Sequence, residues 1–144
     1  MLRPTTFAGL VLGSLLASAA FAPLPAHAGD ASIAVGEVSG GGLPGTDAGV
    51  VKSAAEGELR RMDTAKLPRS RALVVSLAVA ATSDAAVACT INATVRDGRT
   101  GAMLAIVEGR ARTEGRPDGE LRAAVVRAAV RSAVSRIPEA LPKR

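Results

Sequence analysis

The clearest signal in the chain is a change of period. Between residues 73 and 80 apolar side chains alternate with smaller or polar ones, Leu73, Val75, Leu77 and Val79 on one side and Val74, Ser76, Ala78 and Ala80 on the other. A period of two suits a strand with one buried face, because successive side chains leave opposite faces of a sheet. After the turn residues Thr82-Ser83-Asp84 the pattern resumes, with Val87, Cys89, Ile91, Ala93 and Val95 alternating with Ala88, Thr90, Asn92, Thr94 and Arg96. Asp97-Gly98 marks a hairpin, since both residues tolerate a positive φ. Residues 102–112 return as a further strand, with Met103, Ala105 and Val107 on one side and Leu104 and Ile106 on the other.

Two stretches carry the helical period instead. Val51, Ala55, Leu59 and Met62 fall on one stripe, Lys52, Glu56 and Arg60 form an i, i+4 polar row on another face, and Thr46 or Asp47 is placed to cap the start. Residues 62–71, which include Pro68, read as a loop. Pro117-Asp118 opens the second helix, with Asp118 as its cap and Glu120 near its positive end. Val126, Val130, Ala133 and Ile137 supply the buried stripe, Arg127 and Arg131 lie outward, and Pro138 is the expected stop. The remaining tail from Leu141 to Arg144 reads as frayed. A first strand over residues 32–38 precedes the glycine cluster Gly40-Gly41-Gly42 and the turn Pro44-Gly45. The order β-α-β-β-β-α predicts an α+β fold: one small domain, a mainly antiparallel sheet, and two helices on one face.

The amino terminus stands apart from this scheme. Arg3, an apolar run from Phe7 to about Leu24, and Ala26-His27-Ala28 follow the order of an export signal, with cleavage expected between Ala28 and Gly29. Residues 1–28 are then a signal peptide and 29–144 the domain, ordered over about 31–138. The apolar run is broken by Gly9, Gly13, Ser14, Ser18 and Pro23, whereas a membrane span needs roughly 20 consecutive apolar residues. No transmembrane segment is therefore expected after processing. Gly29 occupies the place of a lipidated cysteine, and no paired arginines mark the twin-arginine route. The expected location is the periplasm or the exterior of a bacterial cell.

Cleavage at that point alters the chemistry available. It removes His27, Phe7 and Phe21, leaving residues 29–144 with no histidine, no aromatic and a formal charge of +4. The core must be built from aliphatic residues, so each buried position contributes modestly. Ser-His-Asp, Cys-His and histidine-metal sites all need a residue that is missing. A Ser-Lys dyad from Ser53 or Ser70 with Lys52 or Lys66 is formally possible, yet nothing distinguishes these residues from ordinary surface. Glu37, Glu108, Glu114 and Asp118 show no acid/base spacing. Asn92-Ala93-Thr94 matches a glycosylation sequon of the kind that arises by chance. No catalytic residue, metal ligand or cofactor is expected.

Three features carry sharper alternatives. Cys89, the only cysteine, cannot form an intramolecular disulfide and reads as a buried thiol; an intermolecular bridge or a reactive thiol is the alternative. Gly40-x-Gly42-x-x-Gly45 lies between a strand and a helix, as in dinucleotide-binding loops, but Pro44 removes an amide and the strands that follow are expected to pair as hairpins. In the related phosphate-binding loop, Thr46 stands where lysine belongs. Finally, Arg96, Arg99, Arg110 and Arg112 flank the Asp97-Gly98 hairpin, with Arg69 and Arg71 expected nearby. If they converge they can hold carboxylates or phosphates, since arginine binds both bidentately; otherwise they are solvated strand charges.

The leading Ile-Ala-Val strand, a helix, polar-alternating hairpin strands ending in Val107-Glu108-Gly109-Arg110-Ala111, and a closing Ala/Val/Arg helix resemble small α/β modules of bacterial envelope proteins. The pattern is similar to the TolB amino-terminal domain and curli-assembly-type proteins, over most of residues 31–141, without an obvious helix between the second and third strands. The α+β pattern together with the missing catalytic side chains leads to the expectation of a non-enzymatic envelope module that binds a protein or an anionic envelope component through a sheet edge or the arginine-bearing hairpin. The alternatives are a nucleotide-binding protein or enzyme using residues 40–45, and a structural homo-oligomer. Nucleic acid is not an expected partner, because export separates the two and no aromatic is present for base stacking.

Overall fold

In the computed structural model, which describes residues 31–40, 47–83 and 87–142, local sequence signals become defined elements. The expected signal peptide, its cleavage point at Ala28 and Gly29, and the glycine run after Gly40 lie outside the described residues. Strand β1 (Ser32–Ser39) leads to helix α1 (Ala48–Arg61), followed by β2 (Ala72–Ser83), β3 (Val87–Asp97), β4 (Met103–Thr113) and α2 (Gly119–Ala140). Both helices are capped by aspartate. Asp47 accepts a hydrogen bond from the Gly49 amide at 2.7 Å, and Asp118 accepts one from Leu121 at 2.7 Å, satisfying donors that the first turn leaves free.

The four strands form one sheet in the order β1-β2-β3-β4, and the α+β class is as the pattern predicts. The pairs β2-β3 and β3-β4 are antiparallel, whereas β1 pairs with β2 in parallel. The first strand, α1 and β2 thus form a parallel crossover unit that was not expected, while the strands that follow pair as hairpins as expected. Helix α2 lies across β3 and β4, and α1 packs beside it over β1. Between helices and sheet lies an aliphatic core in which Leu73, Leu77, Val75, Ile91, Val95, Val51, Val130 and Ile137 are fully buried.

Several local expectations change. Met62 stands just past α1 as its C-cap and, half-buried, still packs against the core with the stripe. The segment read as a loop contains a short 3-10 turn, Thr64–Lys66, started by Asp63, whose carboxylate accepts from the Ala65 amide at 3.0 Å. Thr82 and Ser83 belong to β2, because an extra residue at Ala80 bends the strand and lets its pairing with β3 continue. Helix α2 passes through Pro138 to Ala140. Proline has a helix-compatible φ and deletes one N–H bond, while Ile137 and Leu141 are both buried and hold the last turn in place.

The largest correction concerns β4. Val95 faces Ala105 and Arg96 faces Met103, so Leu104 is an inserted residue. This bulge changes the alternation: Leu104 and Ala105 pack against the core, while Met103 turns outward and joins Ile106. Met103 therefore does not share the side of Ala105 and Val107.

Candidate interaction surface

Because both helices cover the same side of the sheet, its other side is uncovered among the described residues. Its rows follow from register: Val74, Arg96 and Met103 lie across the strands at one level, and Ser76, Thr94 and Ile106 at the next. Val74, Ser76, Ala78, Thr90, Asn92 and Thr94 are half-buried between their neighbours. Met103 and Ile106 are 56% and 61% exposed, the large apolar side chains that remain open to water among the described residues. A shallow hollow of about 200 Å³ continues the same face, with Glu37, Ser39, Ser76, Thr94 and Arg96 around it.

The arginines divide into two groups. Arg96 lies at the hairpin end of β3 and Arg99 in the turn, whereas Arg110 and Arg112 pair with Thr90 and Ala88 at the far end. Six residues separate Thr90 from Arg96, which at the rise of a strand is about 20 Å. The four side chains thus do not make one patch. Arg110 is ion-paired with Glu108 on the same strand. Near the hairpin, Asp97 accepts from the amides of Arg99 and Thr100 at 2.9 and 3.1 Å. These bonds, with Arg71 close by, hold its carboxyl below the usual aspartate value.

Several of the residues weighed for catalysis have structural partners or lie open to solvent. The Ser53 hydroxyl donates to the Gly49 carbonyl of its own helix at 2.8 Å, and Ser70 is exposed in a turn. Asp118 is engaged as a helix cap, and Glu108 in its ion pair. No cluster of three potential metal ligands occurs among the described residues. Cys89 is 3% exposed, and burial raises its thiol pKa. Gly40 has a packing role: its φ is +103°, and a β-carbon there would stand 2.7 Å from that of Val79. The crossover β1-α1-β2 removes the pairing objection to a dinucleotide loop, while residues 41–46 lie outside the described residues.

Sequence reasoning missed two things that matter here. Arg131, expected simply to point outward, reaches from α2 to α1, donating to Glu58 at 3.1 Å; Arg61 reaches the same carboxylate oxygen at 3.2 Å. The exposed pairing of Met103 with Ile106 had no signal in the periodicity, because only the bulge creates it. No described helix is long and apolar enough to cross a membrane.

No protein-family model matches the chain, and no curated protein matches it significantly. Solved structures do align with it. The PelC L103M dodecamer from Paraburkholderia phytofirmans aligns with a TM-score of 0.52 at 16% identity, over 79% of this chain and 88% of that one. A provisionally assigned lipoprotein from Caulobacter crescentus CB15 aligns with a TM-score of 0.43 at 12% identity, over 76% of this chain and 85% of the other.

Proposed function

We propose that this protein is a non-enzymatic module of the bacterial cell envelope that binds protein through the uncovered side of its sheet, a second copy of the chain being the first partner to consider. The observation that carries this reading is the placement of Met103 and Ile106, which the Leu104 bulge brings out together beside Arg96 and Thr94. Exposed apolar side chains of this size, rimmed by polar residues, favour association because contact removes them from water. Self-association draws further support from the dodecameric assembly of PelC, which shares the fold. The export-like amino terminus supports the envelope, and the lack of histidine beyond residue 28 supports a binding role over catalysis.

Sedimentation velocity over a range of concentrations tests the reading. The protein is expected to associate reversibly, and the double variant Met103→Ser/Ile106→Ser to shift the equilibrium at least tenfold toward monomer. A monomer at every concentration would remove self-association. Association unchanged in the variant would place the contact elsewhere on the molecule.

A further inference from the structure

A second recessed surface lies at one end of the molecule, away from the open side of the sheet. It is a cavity of about 630 Å³ between the segment preceding β2 and the last turn of α2, lined by Ala65, Lys66, Leu67, Pro68, Arg69 and Arg71 from the first, and by Pro138, Leu141 and Pro142 from the second. Its charge is one-sided: among the described residues three cations line it and no carboxylate does. Lys66 and Arg69 are exposed and have no ion pair among the described residues, while half-buried Arg71 feels the charge of Asp97. Ser70 takes a left-handed backbone conformation, with φ +61°, and so turns the chain between Arg69 and Arg71. The rest of the lining is apolar, with Leu67 and Leu141 each 4% exposed and set among Pro68, Pro138 and Pro142.

We infer that this cavity binds an anionic amphiphile, specifically the phosphate and first methylenes of a phosphatidylglycerol-type lipid. Phosphate is an acceptor for convergent lysine and arginine, and the desolvation of an alkyl segment against leucine and proline adds affinity that a bare anion lacks. The lining favours this ligand over two others. It has no aromatic residue on which a nucleobase could stack. Pro68, Pro138 and Pro142 lack N–H groups, so the walls offer few backbone donors to a peptide. The inference does not rest on the proposed protein-binding role, since the two surfaces share no residue.

The test is titration of the isotope-labelled protein, followed by NMR, with dihexanoyl phosphatidylglycerol below its micelle concentration. Dihexanoyl phosphatidylcholine and inorganic phosphate serve as separate arms. Saturable shifts confined to residues 65–71 and 137–142 are expected with phosphatidylglycerol, and binding at least tenfold weaker in Lys66→Ala/Arg69→Ala. These side chains are exposed, so the variant should retain its fold, which its amide spectrum verifies. Equal binding of the zwitterionic lipid would overturn the role of the cations, and equal binding of inorganic phosphate that of the apolar wall. The cations have another possible duty, complementing the negative end of α2. In that case the variant melts at a lower temperature and phosphatidylglycerol produces no saturable shift in either protein, which refutes the site.

Discussion

Gly109 of β4 lies directly beneath Ala133 of α2. A β-carbon on the glycine would stand 2.7 Å from that of Ala133 and would also overlap the Ala129 carbonyl oxygen and the Ala133 amide nitrogen. Those atoms belong to helix backbone and cannot swing aside, so helix and strand can meet this closely only at a residue without a side chain. Gly109→Ala should therefore lower stability by about 3 kcal/mol or prevent folding, as overpacking at a rigid contact does. Gly57 supplies the control: it lies within α1 with nothing inside 4 Å of the added carbon. Gly57→Ala should raise stability by about 0.5 to 1 kcal/mol through helix propensity. Urea denaturation of the two variants measures both effects.

The two helices are also joined by charge. Glu58 is 18% exposed and accepts from Arg131 of α2, while the arginine remains 67% exposed. Solvent around the guanidinium limits the energy of such a pair, so a double-mutant cycle between Glu58→Ala and Arg131→Ala should return a coupling of about 0.5 to 1 kcal/mol. The coupling should shrink in 1 M salt. A value that does not respond to salt would point to packing of the side-chain stems.

Acid should loosen the β3-β4 hairpin first. The Asp97 carboxyl is held below its ordinary value by the amides of Arg99 and Thr100. A carboxylate with a depressed folded pKa contributes stability that is present above the unfolded value, about 3.9, and lost as pH falls through the folded value. Carboxyl-detected NMR should show Asp97 titrating below the unfolded value, with faster amide exchange at Arg99 and Thr100 as it protonates. Asp97→Asn should flatten the acid dependence of that exchange.

Cys89 gives the opposite pH dependence. Burial favours its neutral thiol and raises its pKa. The native state then holds the proton more tightly than the unfolded chain, so its contribution is full below the unfolded value of about 8.5 and declines as pH rises through the folded one. The stability difference between the wild type and Cys89→Ala should narrow between pH 8 and 10. Reaction with a thiol reagent at pH 8 should be slow in the native protein and rapid in denaturant, because Cys89 must be exposed before it reacts.

The parts legible in sequence are those with a local cause. Asp47 and Asp118 act as caps because a side-chain oxygen two or three residues from a free amide needs no distant partner. The inward row of β3, Val87 through Val95, is buried as alternation predicts. The arginine group was not legible as a site. Arg96 and Arg110 are close in sequence through the hairpin, yet the antiparallel register carries them apart, because each residue along one strand moves farther from the turn.

By itself the sequence determined the element order, the helix starts, and which side of β2 and β3 turns inward, since period and capping act within a few residues. Tertiary structure alone decided the parallel pairing of β1 with β2, the Leu104 bulge that exposes Met103, and the cavity joining Lys66, Arg69 and Arg71 to the end of α2. The first and the last depend on segments far apart in the chain meeting at a fixed distance, and the bulge on the register between two strands. Hydrophobic period specifies that a residue must be buried; it does not specify the partner that buries it.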